Sequence, residues 1–319
     1  MTTEPIHLSG TVPDNMANKR LDQACQHLFS DYSRNQLQNW IKAGSVTVDN
    51  LTVTKPRQTV KADSLITINA TLEDHSVCEP EDMSLDIVFE DSDLMIINKP
   101  SGLICHPGAG IHEHTLVNGL LFHDPRLRTL PRAGLIHRLD KDTTGLLIIA
   151  KNNMSYQKLS QMMRDRLISR QYHTVVHGKL ISGGTLRTPY GRHPTARTKM
   201  AVLSHSERIA ITHYRIVERF QGFTHLEVTL DTGRTHQIRV HMAHLRHPIL
   251  GDTTYGKRCE YPNLEEKAQS AIRSLTHQAL HAKKLSFAHP ISGEPLSFES
   301  PLPDTMTELI DALPRENPC

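Results

Sequence analysis

Apolar residues along this chain recur at two spacings, and the change between them marks its organisation. Near the start, Leu21, Ala24, Cys25, Leu28 and Phe29 fall three and four apart, which predicts one face of a helix. Leu37, Trp40 and Ile41 repeat that spacing, with Ser33 as a cap before them and Gly44 as a stop after them. Val46-Thr47-Val48 alternates as a strand does, Asp49-Asn50 supplies a turn, and Leu65-Ile66-Thr67-Ile68 reads as another short strand. Residues 1–16 are polar and hold Pro5 and Pro13, so a loosely packed lead-in is expected there. Glu73 to Asp82 is acidic, contains Pro80 and shows little periodicity, which reads as a linker.

From Met83 the apolar runs lengthen and stop alternating. Ile87-Val88-Phe89 predicts one strand, and Leu94-Met95-Ile96-Ile97 a second, buried strand that Pro100-Ser101-Gly102-Leu103 ends in a tight turn. Further strands are expected at 146–150, 171–178, 213–219, 223–230 and 284–288, and helices at 114–122, 153–167 and 235–246. Strands outnumber helices and the connections are irregular, so the larger part reads as an α+β domain on a mixed or antiparallel sheet. The expected boundaries are a small α+β domain over 18–78 and a large one over 83–315. The chain's 319 residues are enough for both cores.

Composition narrows the class without naming a reaction. The chain is 38% hydrophobic and 22% charged, ordinary values for a folded water-soluble protein. It begins without the basic and apolar stretches of a signal peptide, and no apolar run approaches a membrane span. Five scattered cysteines without a C-x-x-C pair read as reduced thiols, so a cytoplasmic location is expected. The net charge of +2 hides an asymmetry. Residues 130–200 carry 13 Lys/Arg against 3 Asp/Glu, a local net of +10, whereas residues 1–82 carry 7 against 11, a net of −4. So basic a block suggests a polyanion such as nucleic acid, although solvated faces also carry such charge.

The densest chemistry lies in His137-Arg138-Leu139-Asp140-Lys141-Asp142-Thr143-Thr144-Gly145-Leu146-Leu147. Arg138, Lys141 and His137 surround Asp140 in sequence, and an apolar run follows. Neighbouring cations favour a carboxylate's charge and an apolar wall limits water, which makes Asp140 a candidate nucleophile or base. The alternative is a mixed-charge loop leading into a buried strand. His236, His241, His244 and His247 invite a metal reading. No cysteine or acid stands beside them at zinc-like spacing and H-E-x-x-H is absent, so no metal is expected. Gly108-Ala109-Gly110 is too short for a nucleotide-binding loop, and no cofactor is expected.

The eleven-residue stretch around Asp140 resembles the signature of the RluA-type pseudouridine synthases: HRLD, two variable residues, Thr or Ser, then Gly. Asp93–Leu103 with His106-Pro107-Gly108, Ser169-Arg170-Gln171-Tyr172 and Leu230–Met242 resemble further segments of that family. Arg20-Leu21-Asp22, Ser33-Arg34 and Gly44–Val48 resemble the S4 RNA-binding module, so the likeness covers nearly the whole chain. Gln171 departs from the family pattern, in which an acid usually precedes the tyrosine, and Ala196 and Lys199 vary within a basic loop.

The resemblance implies a pseudouridine synthase catalytic domain behind an S4-like domain, with Asp140 as the catalytic carboxylate. It implies that Arg138 enters the space left by a flipped base, that Tyr172 offers a platform to the uracil, and that Arg239 pairs with Asp140. Arg234 is expected on a phosphate or the uracil edge, although the sequence fixes neither distance and leaves Arg234 and Arg239 free to exchange these roles. Ile238 is either an apolar contact to the base or a plain core residue. In the S4-like part, Arg20, Arg34 and Lys42, with Lys55 and Arg57, are candidate phosphate contacts. Asp142 is expected to be structural. The implied partner is large-subunit ribosomal RNA, free or in a pre-ribosomal particle, at the stem-loop that bridges to the small subunit. The alternatives are another ribosomal or transfer-RNA site, or a non-catalytic S4-type assembly factor. A monomer is expected, because no heptads or apolar stripe suggest otherwise.

Overall fold

The computed structural model describes residues 4–30, 32, 34–72, 78–108, 111–256 and 261–316. The chain divides into two units, Met1–Val77 and Cys78–Cys319. In the first, β1 (Glu4–Thr11), α1 (Leu21–Leu28), α2 (Arg34–Lys42), β2 (Val46–Val48), β3 (Leu51–Thr52) and β4 (Leu65–Leu72) follow one another. The strands form an antiparallel sheet in the order β1-β4-β2-β3. Leu21, Ala24 and Cys25 of α1 and Leu37, Trp40 and Ile41 of α2 join Val46, Ile66 and Ile68 in one core. Asp49 and Asn50 both adopt left-handed backbone, the conformation that a two-residue hairpin loop requires.

Two expectations fail here, each for a physical reason. The polar start is not a loose lead-in, because β1 pairs with β4 along its whole length, from Glu4↔Leu72 to Thr11↔Leu65. Ile6 and Leu8 pack against the core at period two, and an edge strand tolerates Pro5. Residues 78–82, expected in the linker, belong to the larger unit. Cys78 is buried in the larger unit's core, Glu81 donates its N–H to the Asn118 carbonyl at 3.1 Å, and the Asn118 amide donates to the Glu79 carbonyl at 2.8 Å. Ser33, the expected cap of α2, and residues 73–77 lie outside the described residues.

The larger unit starts with β5 (Ile87–Glu90), β6 (Leu94–Lys99), α3 (Leu116–His123), β7 (Thr144–Ala150) and α4 (Asn153–Arg164). It continues through β8 (Ser169–His177), β9 (Gly184–Arg192), β10 (Met200–Val202), β11 (Ile209–Phe220) and β12 (Phe223–Leu230). α5 (Gln237–His244), α6 (Glu266–Ser274), β13 (Leu280–Ala288), β14 (Pro295–Glu299) and α7 (Asp304–Ala312) complete it. The sheet order is β10-β9-β11-β12-β8-β13-β7-β6-β5, with β14 on β13. Only β13 and β7 run parallel among these described strands, so the sheet is mixed, as the α+β reading expects.

The unbroken apolar runs of β6 and β7 arise because both sheet faces are covered. Met95, Ile97, Leu147 and Ile149 enter one core with Leu116 and Leu120 of α3. Leu94, Ile96, Leu146 and Ile148 enter another with Leu159 of α4. Strands β9, β10 and β14 and helices α6 and α7 are not among the expected elements. No helix among the described residues is long and apolar enough to cross a membrane.

Candidate active site

Asp140 sits on a turn just before β7, closed by the Thr143 N–H donating to the Asp140 carbonyl at 3.1 Å. Several groups anchor this turn. Lys99, at the end of β6, is 1% exposed, and its ammonium donates to the carbonyls of Pro100 (2.6 Å), Leu103 (2.9 Å) and Lys141 (2.7 Å). Burial pulls that amine down to about 8. Gln278 donates to Thr143 Oγ1 at 3.2 Å, and the Cys105 thiol donates to the Leu139 carbonyl at 3.2 Å. Gly145 leaves the turn at φ +108°, where a Cβ would strike the Ala282 carbonyl on β13.

The charge partner of Asp140 comes from far along the chain. Arg239 on α5 points Nη1 at Asp140 Oδ2, 3.3 Å away. The other side of its guanidinium grips Asp252, with Nε–Oδ2 at 2.7 Å and Nη2–Oδ1 at 2.9 Å. Burial opposes the charge on Arg239, but Asp252 and Asp140 outweigh it and raise the guanidinium above its ordinary value. His236 Nε2 lies 3.9 Å from Asp140 Oδ1, and its Nδ1 lies 2.8 Å from the Tyr255 hydroxyl. Burial pushes the His236 imidazole below its usual value, with Asp140 pulling the other way.

One sequence expectation needs correcting. His137 is not a cation beside Asp140: burial, assisted by Arg170, pushes it down to about 3, and its Nε2 accepts from the Ile148 N–H at 3.4 Å. Arg138 and Lys141 are exposed, so the contact to the carboxylate comes from Arg239.

A cleft of about 520 Å³ opens over this turn. Asp140, Arg138, Tyr172, Arg234, Ile238 and Arg239 all line it, so the expected residues of the larger unit converge. Tyr172, on β8 opposite Val228, is 5% exposed, and burial raises its phenol. Ile238 is 4% exposed and belongs to the core as well as the cleft wall. Arg132, Arg138, Arg164, Arg166 and Arg234 are exposed around the cleft, which concentrates positive charge at its mouth. Arg132 and Ala133 hold left-handed backbone (φ 54° and 50°), a strained conformation of the kind that clusters at functional sites. Arg170 is buried beneath the rim, donates to the Leu230 carbonyl at 3.3 Å, and occupies space that a Cβ on Gly233 would take.

The smaller unit gives its expected contacts different settings. Arg20 and Arg34 both bind Asp22, at 2.8 and 2.9 Å, and that carboxylate is fully buried. Lys42 is exposed at the end of α2.

Sequence reading missed Asp252 and Tyr255, gave Lys99 no role, and weighed His236 only as a metal ligand. The available signal was the acid in Ile249-Leu250-Gly251-Asp252, alone in an apolar run. The four histidines of this region separate: His241 binds Thr188 and Thr212, and His247 binds the His177 carbonyl. Among the described residues, Asp91, Asp93 and His289 bring three ligand-type atoms together, and His289 already pairs with Asp91 at 3.0 Å.

The family described as RNA pseudouridylate synthase matches residues 93–244, and the S4 domain matches residues 19–66. The ribosomal large subunit pseudouridine synthase D of Vibrio vulnificus is 47% identical over 98% of this chain and 96% of its own length. That of Escherichia coli K12 is 45% identical over 97% of this chain and 94% of its own. The solved structure of human RNA pseudouridylate synthase domain containing 1 has a TM-score of 0.56 at 22% identity. It covers 74% of this chain and 90% of that one, a likeness of fold. With its cleft, its S4 match and relatives this similar over nearly their full length, the chain belongs to the RluA-type family of RNA pseudouridine synthases.

Proposed function

We propose that this enzyme converts uridine to pseudouridine in large-subunit ribosomal RNA, with Asp140 as the reacting carboxylate. The observation that carries the reading is Asp140 at a basic cleft, held by Arg239 at one oxygen. Uridine in folded RNA hides its C5 and C1′ within the stack, so the nucleotide must leave it. Arg138, exposed at the cleft, suits the vacated space, because a planar guanidinium stacks on bases and also pairs with phosphate. Tyr172 offers its ring to the flipped uracil, and Ile238 adds an apolar surface.

The N-glycosidic bond then breaks, the uracil turns within the cleft, and C5 bonds to C1′. Two routes start at Asp140. In one the carboxylate attacks C1′ or C6 and forms an adduct; in the other it removes a sugar proton and leaves a glycal-like intermediate. In both, the proton lost from C5 must pass to a base, and the Tyr172 hydroxyl is a candidate carrier. The chain's own residues supply this acid–base chemistry, and the reading invokes no metal or cofactor.

The relatives named for the large ribosomal subunit support ribosomal RNA as substrate. Within it we favour the stem-loop that bridges to the small subunit, helix 69. The S4-like unit would hold the surrounding RNA through Arg20, Arg34 and Lys42, and we place the enzyme in the cytoplasm as a monomer. Mapping pseudouridines in large-subunit RNA from cells with and without this protein tests the site. Loss confined to that stem-loop is expected; unchanged sites there would refute the assignment.

A further inference from the structure

Asp252 and Tyr255 lie on one turn behind the cleft, and neither lines it. We propose that this turn is a positioning element: Asp252 holds Arg239, and Tyr255 holds both Arg239 and His236, so that one N–H faces each oxygen of Asp140. The inference rests on Asp140 being the reacting carboxylate.

Arg239 divides its donors unequally between two carboxylates. A guanidinium makes its strongest contact as a fork, with two parallel N–H bonds to one carboxylate. Arg239 gives that fork to Asp252 and a single Nη1 contact of 3.3 Å to Asp140. The fork cannot easily turn, because Asp252 is itself fixed. Its side chain is fully buried, and Oδ1 also accepts the N–H groups of Thr254 (2.9 Å) and Tyr255 (3.0 Å). The Tyr255 ring lies against the guanidinium, 5.2 Å from Cζ to ring centre. Asp140 is thereby held at one oxygen, and its second oxygen is not consumed by a fork.

That second oxygen faces His236. The Tyr255 hydroxyl accepts the Met200 N–H from β10 at 2.9 Å, so its own proton is available to His236 Nδ1 at 2.8 Å. With Tyr255 donating to Nδ1, the imidazole proton sits on Nε2, the atom 3.9 Å from Asp140 Oδ1. Without the Asp252 carboxylate, the fork of Arg239 is free to close on Asp140 and occupy both of its oxygens.

The test is a double-mutant cycle on recombinant enzyme with a large-subunit RNA transcript. Asp252→Asn should lower kcat about 10- to 100-fold, because a misplacement of about 1 Å at a reacting group costs rate on that order. KM for the RNA should stay within about threefold, because Asp252 does not touch substrate. In an Arg239→Met background the same change should cost no further kcat, since Asp252 acts through Arg239. A kcat near wild type, a loss expressed in KM, or losses that add would overturn the proposal. Should Asp252→Asn fail to fold, Tyr255→Phe decides: it keeps the ring, loses the His236 bond, and should cost roughly tenfold in kcat through misplacement of His236. A wild-type kcat for Tyr255→Phe would then overturn it. Asp140→Asn in the same assay separates the two readings. If that variant stays active, the role of Asp140 fails; if it is inactive while Asp252→Asn is not, only the present inference fails.

Discussion

Replacing Lys99 by methionine would remove the buried ammonium that ties β6 to the Asp140 turn. Three carbonyl oxygens lose their donor, those of Pro100, Leu103 and Lys141. Bonds from a charged donor contribute about 1.5–3 kcal/mol each, roughly 4.5–9 kcal/mol for the three. Against this stands the cost of burying the ammonium. The amine falls from 10.5 to about 8. At 1.36 kcal/mol per unit that cost is about 3.4 kcal/mol. The difference makes Lys99→Met less stable than wild type by about 1–6 kcal/mol at pH 7. The pH dependence has a definite sign. Between about pH 8 and pH 10.5 the unfolded chain holds the Lys99 proton and the folded chain does not, so wild-type stability rises with pH in that window. Methionine has no such contribution, and the gap between the two proteins should widen by up to about 3.4 kcal/mol. Denaturant unfolding of both proteins at pH 7 and pH 10 measures it. Equal stabilities at pH 7, or a gap that narrows at pH 10, would refute this account of the turn.

Three further outcomes follow from the site and the sheet. Gly145→Ala adds a Cβ against the Ala282 carbonyl at φ +108° and should destabilise the larger unit by at least about 1–3 kcal/mol; an unchanged melting temperature would contradict this. His225, His241 and His281 are pushed down to about 4 by burial, and His137 to about 3. The unfolded chain therefore takes up more protons below about pH 6.5, and stability falls as pH drops from there toward 4, by about 2 kcal/mol for each histidine at pH 5. Melting curves from pH 7.5 to 5 check this, and a flat profile would refute it. Tyr172→Phe keeps the ring but removes the hydroxyl, so RNA affinity should persist while kcat falls about 100-fold or more. Full activity would exclude the hydroxyl from proton transfer.

Much of the larger unit was legible because its strands are long, apolar and bounded by turns. The runs at β6 and β7 could be read directly, since burial on both faces leaves no polar interruption to confuse them. β1 was not legible, because Ile6 and Leu8 alternate with polar residues along an edge strand and Pro5 suggested a loosely packed lead-in. β9 and β14 were not legible because exposed residues interrupt their half-buried and buried positions. At the site, Asp140 stood out by local motif, and Arg239 followed from the resemblance. The local cluster was nonetheless a poor guide to electrostatics. His137 is adjacent in sequence yet neutral, whereas Arg239 stands 99 residues away and makes the contact. Asp252 was invisible for a related reason: its partner is set by the packing of α5 against the turn that follows it. In the smaller unit, Arg20 and Arg34 read as free cations until the buried Asp22 between them was seen.

Asp140 is proposed as the carboxylate that starts the isomerisation. Asp140→Asn keeps the shape of the turn and removes the charge, so it isolates that role. The direct measurement is pseudouridine formed in a large-subunit RNA transcript by wild type and variant, alongside RNA affinity for both. Asp140→Asn should form no detectable pseudouridine at near wild-type affinity. Pseudouridine formed by the variant at the wild-type rate would contradict it.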